Sequence, residues 1–387
     1  MSTADGSVVG TTQVVDNGPP TERWNLVIMG DGYQLGQLGQ FSNDVQSFIN
    51  TLFTTPPFDD LQRGINVYRV DVSSTDSGAD DPVACGGTGA TARTYFDASF
   101  CNNGARRLLL VNAATALSVA GAQVPQWNMV MVIVNSTVYG GSGGSVAVFS
   151  LAAGANEIGL HEMGHTAFAL ADEYEYYLGC GVDTNRDVHP GTEPAAENVT
   201  IDANRATNKW RDLIAASTPM PTTANADCTQ CDPQPNPVAG NTVGAFEGAD
   251  YYHCGAYRPQ FTCRMRALTN PFCAVCQRRM RRVLQPYMPG GGSYTVTVEP
   301  ATTGMIALPP PNGMGAVRFG RVFVSLASDF QGATVRLAIG QPGQWRIFQN
   351  LTVPAGRQVV YELVNTDQVA SVVHQGGEPV DVLVEYQ

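Results

Sequence analysis

The sequence predicts an α+β chain in two parts, a mixed sheet flanked by helices followed by an all-β sandwich. Three observations carry that expectation. Apolar runs before residue 150 are uninterrupted, which suits strands covered on both faces. Helical spacing recurs between and after them. Past a glycine-rich break at 289–293, short alternating runs follow one another with turn residues between.

Residues 1–23 mix Gly, Thr and Val without a period and are expected to form a flexible segment. Trp24 to Met29 (WNLVIM) reads as a buried strand ending in Gly30-Asp31-Gly32, and Phe41 to Phe53 sets Val45, Phe48, Ile49 and Leu52 on one helical face. Ile65 to Val72, Arg107 to Val111 and Met129 to Val134 supply further strands. A glycine-rich approach from Tyr139 leads to Val146–Ser150, read as an open edge able to pair with an extended substrate; the approach also reads as a mobile loop. A helix is expected from Gly154 to Ala171. From Asp172 to Gln260 the chain is loop-rich, with short helical pieces such as Arg205 to Ala215, and Cys276 to Leu284 is a further helix. Residues 24–288 thus form one domain and 289–293 (PGGGS) a linker. Strands at Tyr294–Val298, Val317–Leu326, Thr334–Ile339, Gln358–Val364 and Val380–Tyr386 make 294–387 a β-sandwich accessory domain.

The chain has 387 residues, 43% hydrophobic and 14% charged, which excludes a disordered tail. Its net charge of −12 argues against a nucleic-acid binder, which needs a basic face to neutralise phosphates. No apolar run reaches the ~20 residues that span a bilayer, so no membrane span is expected. Nine cysteines allow up to four disulfides with one thiol over, and seven lie in the loop-rich stretch from 180 to 276. A rival reading makes Cys228-x-x-Cys231 and Cys273-x-x-Cys276 a four-cysteine zinc site. Asn198-Val199-Thr200 fits a glycosylation sequon. Secretion, with a leader absent from this sequence, is the expectation.

Chemistry concentrates at His161-Glu162-Met163-Gly164-His165, an HExxH motif within the expected helix. Positions i and i+4 share one helical face a turn apart, so both imidazoles can converge on one ion. Glu162, offset by one position, is left to act as general base and then acid on the attacking water and the leaving amine. Zinc suits these ligands, lowers the pKa of water and polarises a carbonyl. Chance produces such a motif in about two of every thousand chains of this composition. The extended pattern HExxHxxGxxH, or Asp in the last place, meets Phe168 and Ala171 here. Asp172 follows one residue later. In an unbroken helix it lies about 10.5 Å along the axis from His165, too far to share an ion. Either the helix ends near Ala169 and the chain folds back to bring Asp172 in, or Glu173 or a more distant acid serves.

At these residues the sequence resembles the IgA-peptidase-like zinc metallopeptidases of bacteria. The matching runs are HEMGHTAFALADEY (161–174), FEGADYYHCGAYRP (246–259), CRMR (263–266), FCAVC (272–276), WNLVIMGDGY (24–33) and NKWRDLI (208–214). The resemblance spans Trp24 to Leu284. It implies a metzincin-like zincin fold, one catalytic zinc, endopeptidase activity on a protein or peptide substrate, and Met265 as the Met-turn residue beneath the metal.

An oxyanion donor is also needed. Tyr251, Tyr252, His253, Tyr257 and Arg258 are candidates, Tyr257 first, because a buried tyrosine donates without a titrating charge. Asp183 to Asp187 alternates oxygen ligands as a Ca2+ loop does, but Val188 and Pro194 replace the glycine and glutamate of that pattern, so a solvated loop is the stronger reading. The competing function is a non-catalytic binding or adhesion protein on a zincin scaffold, its β domain holding a glycan or surface ligand. A nearer rival keeps the enzyme but takes a distant glutamate as ligand and works as an exopeptidase. The intact Glu162 weighs against a scaffold without catalysis.

Overall fold

The computed structural model describes residues 5–183, 185–230 and 234–288 in full and, past residue 288, the backbone of the strands alone. The chain up to residue 288 is built on a sheet of β1 (Gly6–Val15), β2 (Trp24–Asp31), β3 (Ile65–Ser74), β4 (Met129–Val134), β5 (Gly141–Ser142) and β6 (Ala147–Ser150). The spatial order is β1-β3-β2-β4-β6-β5. The four inner strands run parallel, and β1 and β5 pair antiparallel at the two ends. Side chains of β2 and β4 alternate between two cores, which is why their runs are apolar throughout. Leu26, Ile28, Met129, Met131 and Ile133 enter one core; Val27, Met29, Val130, Val132 and Val134 enter the other.

The first core is closed by α1 (Leu38–Phe53), α2 (Phe58–Leu61), α4 (Ala155–Phe168) and α5 (Ala274–Leu284), the second by α3 (Ala113–Gln123). Helix α1 buries Phe41, Val45, Phe48, Ile49 and Leu52, the face its spacing predicts. Helix α3 starts at Asn112, whose side chain accepts from the Thr115 N–H. Helix α4 leaves the sheet directly after β6 and is buried on most sides, so its polar residues have an interior setting.

Several expectations change. The segment expected to be flexible contains β1, an edge strand whose polar, half-exposed residues carry no apolar alternation. Arg107 to Val111 forms isolated bridges to Ser99 and Gly141 instead of a strand. Strand β6 is not an open edge, because β5 pairs with its outer side. Arg205 to Ala215 contains only a 3-10 turn at Arg211–Leu213. Beyond these, β7 (Phe246–Ala249) and β8 (Tyr252–Arg258) form a two-stranded ribbon within the loop-rich stretch.

Disulfides join Cys85 to Cys101 and Cys228 to Cys254, and Cys180 is also bridged. Cys228 is therefore unavailable to a four-cysteine zinc site, while Cys263, Cys273 and Cys276 are unbridged. Asn198 is fully buried and hydrogen-bonds Ala171 and Glu173, so the sequon offers no glycan acceptor. Among the described residues no helix is long and apolar enough to cross a membrane. The expected linker start at 289–291 lies outside the described residues. Past it the strands Gly292–Val298, Ala333–Gln341, Gln344–Val353, Val369–His374 and Val380–Tyr386 pair antiparallel, the pattern expected of an all-β segment.

Candidate metal centre

His161 and His165 lie one turn apart on α4 with their Nε2 atoms 3.1 Å from each other. Each Nδ1 is engaged by the backbone: His161 donates to the Arg264 carbonyl at 3.0 Å and His165 to the Leu170 carbonyl at 2.7 Å. Those bonds fix the tautomer and turn the Nε2 lone pairs toward a common point. Helix α4 ends at Phe168 because Ala169 takes a left-handed conformation, φ 53°, and the Ala169 and Leu170 N–H groups cap the His165 and Gly164 carbonyls. The chain then folds back. Asp172 Oδ1 arrives 3.1 Å from His161 Nε2 and 3.3 Å from His165 Nε2.

This return segment is pinned on both sides. The Glu173 N–H donates to the Met265 carbonyl at 2.8 Å and the Asp250 N–H to the Asp172 carbonyl at 3.0 Å. The Asn198 side chain brackets Ala171 as both donor and acceptor. Tyr251 Oη donates to Asp172 Oδ2 at 2.5 Å, which leaves Oδ1 free to face the histidines. Met265 is fully buried under α4, and a Cβ placed on Gly164 would stand 2.7 Å from its sulfur. The methionine thus fills the space the glycine leaves, in a turn whose Arg266 and Ala267 N–H groups both bond the Cys263 carbonyl.

Two imidazole lone pairs and a buried carboxylate oxygen that receives no hydrogen bond face one another here. Such a convergence of acceptors is repulsive without a positive charge between them. Their spacings of 3.1 to 3.3 Å approach the ~3.3 Å edge of a tetrahedron with ~2.0 Å bonds, so the residues fit a metal ion bound by two nitrogens and one oxygen. Burial by itself disfavours an imidazolium at His165, but Asp172 and then Glu162 outweigh it and push the ring up to about 9. Burial works to raise Asp172 as well, yet the two imidazoles hold it well below the usual carboxylate range.

Glu162 lines the adjoining cleft of about 330 Å³ with Arg107, Tyr139, Tyr174 and Tyr177. Its carboxylate lies against Gly141 of β5, where a Cβ would meet Oε1 at 2.7 Å. Burial raises the Glu162 carboxyl above its ordinary value against the pull of both imidazoles. The Arg107 guanidinium covers the Tyr177 ring at 4.6 Å and donates to Tyr174 Oη at 3.2 Å and the Tyr177 carbonyl at 2.9 Å. The cleft lining thus sets a buried carboxylate, a fixed cation and phenols beside the two histidines.

Of the residues singled out in the sequence, His161, Glu162, His165, Asp172 and Met265 come together, and Tyr257 does not. Tyr257 sits on β8 with its hydroxyl toward Glu247 and is not among the residues lining the cleft. Glu173 faces away from the histidines toward Cys263, Cys273 and Cys276. Asp183 accepts from the Leu178 N–H and Asp187 from Tyr176 Oη, so both acids of that loop are engaged within the protein. Arg107 and Tyr174 escaped the sequence reading. Arg107 opens a run that reads as an ordinary strand, and Tyr174 ends the HEMGHTAFALADEY run without a motif role of its own.

A family model described as IgA Peptidase M64 matches residues 12–232 and 235–284, over two thirds of the chain. No curated protein matches. Among solved structures, the crystal structure of Yersinia pseudotuberculosis-derived mitogen aligns at 15% identity and a TM-score of 0.18, over 25% of this chain and 84% of that one. A similarity of that size carries no argument about fold.

Proposed function

This chain belongs to the IgA peptidase M64 family, and from that premise we propose that it is a zinc-dependent endopeptidase of metzincin-like architecture, secreted, acting on an extended polypeptide. The observation that carries the reading is the meeting of His161 Nε2, His165 Nε2 and Asp172 Oδ1 within 3.1 to 3.3 Å, with Glu162 in the cleft beside them. His161, His165 and Asp172 hold the zinc. When bound there, zinc supplies Lewis acidity, polarising a carbonyl and lowering the pKa of water.

Glu162 takes the proton from the attacking water and returns it to the leaving amine as the C–N bond breaks. Its buried setting suits that exchange, because a raised carboxyl pKa brings proton uptake and release nearer to neutral pH. Arg107 and Tyr174, in the same cleft lining, stabilise the oxyanion of the tetrahedral intermediate in place of Tyr257. Met265 and the Arg264 carbonyl keep α4 and His161 in position. The bridged cysteines support an extracellular setting.

The test is Glu162→Gln, which replaces the carboxylate by a carboxamide of the same size and keeps all three proposed metal ligands. Zinc content should stay at the wild-type level while cleavage of a protein substrate falls by about 10²- to 10⁴-fold. Unchanged cleavage would remove Glu162 from the mechanism. Loss of zinc together with activity would make Glu162 a ligand instead.

A further inference from the structure

Behind the centre lies a second group that the peptidase reading leaves unused. Glu173, Cys263, Cys273 and Cys276 bring their ligand atoms within 4.8 Å of one another, and all four residues are buried. Cys263 Sγ and Cys276 Sγ are 3.7 Å apart, and Glu173 Oε1 lies 3.4 Å from Cys276 Sγ and 3.7 Å from Cys273 Sγ. A tetrahedral ion with sulfur bonds of ~2.3 Å and an oxygen bond of ~2.0 Å has S···S edges of about 3.75 Å and S···O edges of about 3.5 Å. These three edges have those lengths.

Backbone donors point at two of the sulfurs. The Cys273 N–H donates to Cys263 Sγ at 3.2 Å and the Cys276 N–H to Cys273 Sγ at 3.4 Å. Cys273 caps the N-terminus of the 11-residue helix α5 and Cys276 sits in its first turn, where the helix dipole favours negative charge. Glu173 Oε1 accepts from Asn198 Nδ2 at 2.9 Å, whereas Oε2 is buried with no hydrogen-bond partner. A fully buried carboxyl group in that condition needs a proton or a cation beside it, and a bound ion would supply the second. These three cysteines stay unbridged in a chain that joins others in disulfides.

We propose that Cys263, Cys273, Cys276 and Glu173 form a second, structural zinc site. Binding displaces the thiol protons to solvent and involves no electron transfer. Thiolate-rich tetrahedral coordination selects zinc over harder divalent ions. The site's role follows from its place in the chain. Glu173 is the neighbour of Asp172, and Cys263 lies two residues before Met265 and one before Arg264, whose carbonyl orients His161. One ion therefore ties the Met265 turn, the start of α5 and the Asp172 return segment together directly behind the first centre.

The full-length protein, purified without chelator, should carry two zinc ions per chain, and the His161→Ala/His165→Ala variant one. In that variant the cobalt(II) derivative should show thiolate-to-cobalt charge-transfer absorption, and zinc-edge X-ray absorption should find sulfur at about 2.3 Å. Cys276→Ser should lose this zinc. Because Cys276→Ser risks misfolding, the wild type gives an independent measure: titration with a mercurial should release one zinc as three buried thiols react. A folded His161→Ala/His165→Ala variant that holds no zinc, a disulfide among the three cysteines, or thiols that react with no zinc released would each overturn the site. A wild-type protein that cleaves nothing yet keeps the sulfur-bound zinc would overturn the peptidase reading and leave this one standing.

Discussion

His165 is under two opposed influences, and their balance is measurable. Burial favours the neutral ring, and the Asp172 carboxylate, backed by Glu162, more than reverses that in the metal-free protein, to about 9 against an ordinary 6.5. A folded-state value above the unfolded one means the protonated pair stabilises metal-free protein fully below pH 6.5. That contribution is lost as the pH rises through about 9. Zinc needs the neutral ring, so at pH 7 its entry expels a proton. Apparent zinc affinity at the first centre should climb about tenfold per pH unit up to about 9 and then level. Calorimetry of the metal-free protein in two buffers of different ionisation enthalpy counts that proton; a count of zero would mean His165 is already neutral. The cleft lining gives a second residue-scale outcome. Tyr174→Phe should lower kcat by about 10²-fold or more with zinc retained, while Tyr257→Phe, remote from the cleft lining, should leave kcat as it is.

The end of α4 shows what could be read in advance and what could not. The periodic elements were legible: β2, α1, β3, β4, β6 and α5 stand within a few residues of where apolar spacing sets them. The HExxH pair was legible because two residue types at a fixed spacing on a helix carry the chemistry themselves. Where the helix stops stayed open between an end near Ala169 and a continuation to Ala171, because the left-handed residue that ends it is an alanine, which has no turn signature, instead of a glycine. An unbroken helix carries Asp172 away, and one backbone inversion brings it back to 3.1 Å from His161. Strand β1 was missed for a related reason, since an edge strand half in water needs no apolar alternation. Cys273-x-x-Cys276 was legible as a ligand pair, but its partners were not, because Glu173 lies 90 to 103 residues before the three cysteines and joins them only in the fold. Ala169 yields an element-scale prediction. A left-handed residue bearing a Cβ costs about 1 kcal/mol, so Ala169→Gly should raise unfolding stability by about that amount in denaturant titrations, with zinc content unchanged. Ala169→Val, β-branched at positive φ, should destabilise and lower zinc affinity as Asp172 loses its position. Equal stability in all three proteins would mean the turn is held by its surroundings alone.

Across the whole molecule, the means of stabilisation changes along the chain. Up to α4 the chain is held by a sheet with an apolar core on each face. From Asp172 to Gln260 regular structure is sparse, and the Cys228–Cys254 bridge, the Asn198 contacts and the cysteine group beside α5 supply the restraint. A loop region fastened by cross-links suits a site that needs Asp172, Tyr251 and Met265 from three separate segments in fixed relation. Tyr287 accepts from Asn128 Nδ2 at 3.0 Å beside β4, which ties the chain after α5 to the sheet. The glycine-rich run at 289–293 is proposed as a linker on its composition. A chain ending at Met288 should fold, keep both zinc ions and retain kcat on a peptide substrate, whatever the later strands contribute toward a large substrate. Thermal unfolding of the full chain should then show two transitions, only the first of which moves when zinc is removed with a chelator. A truncated chain that aggregates or loses metal, or a single transition in the full chain, would mean the C-terminal strands complete the catalytic core and that the glycine-rich run at 290–292 is a turn within one folding unit.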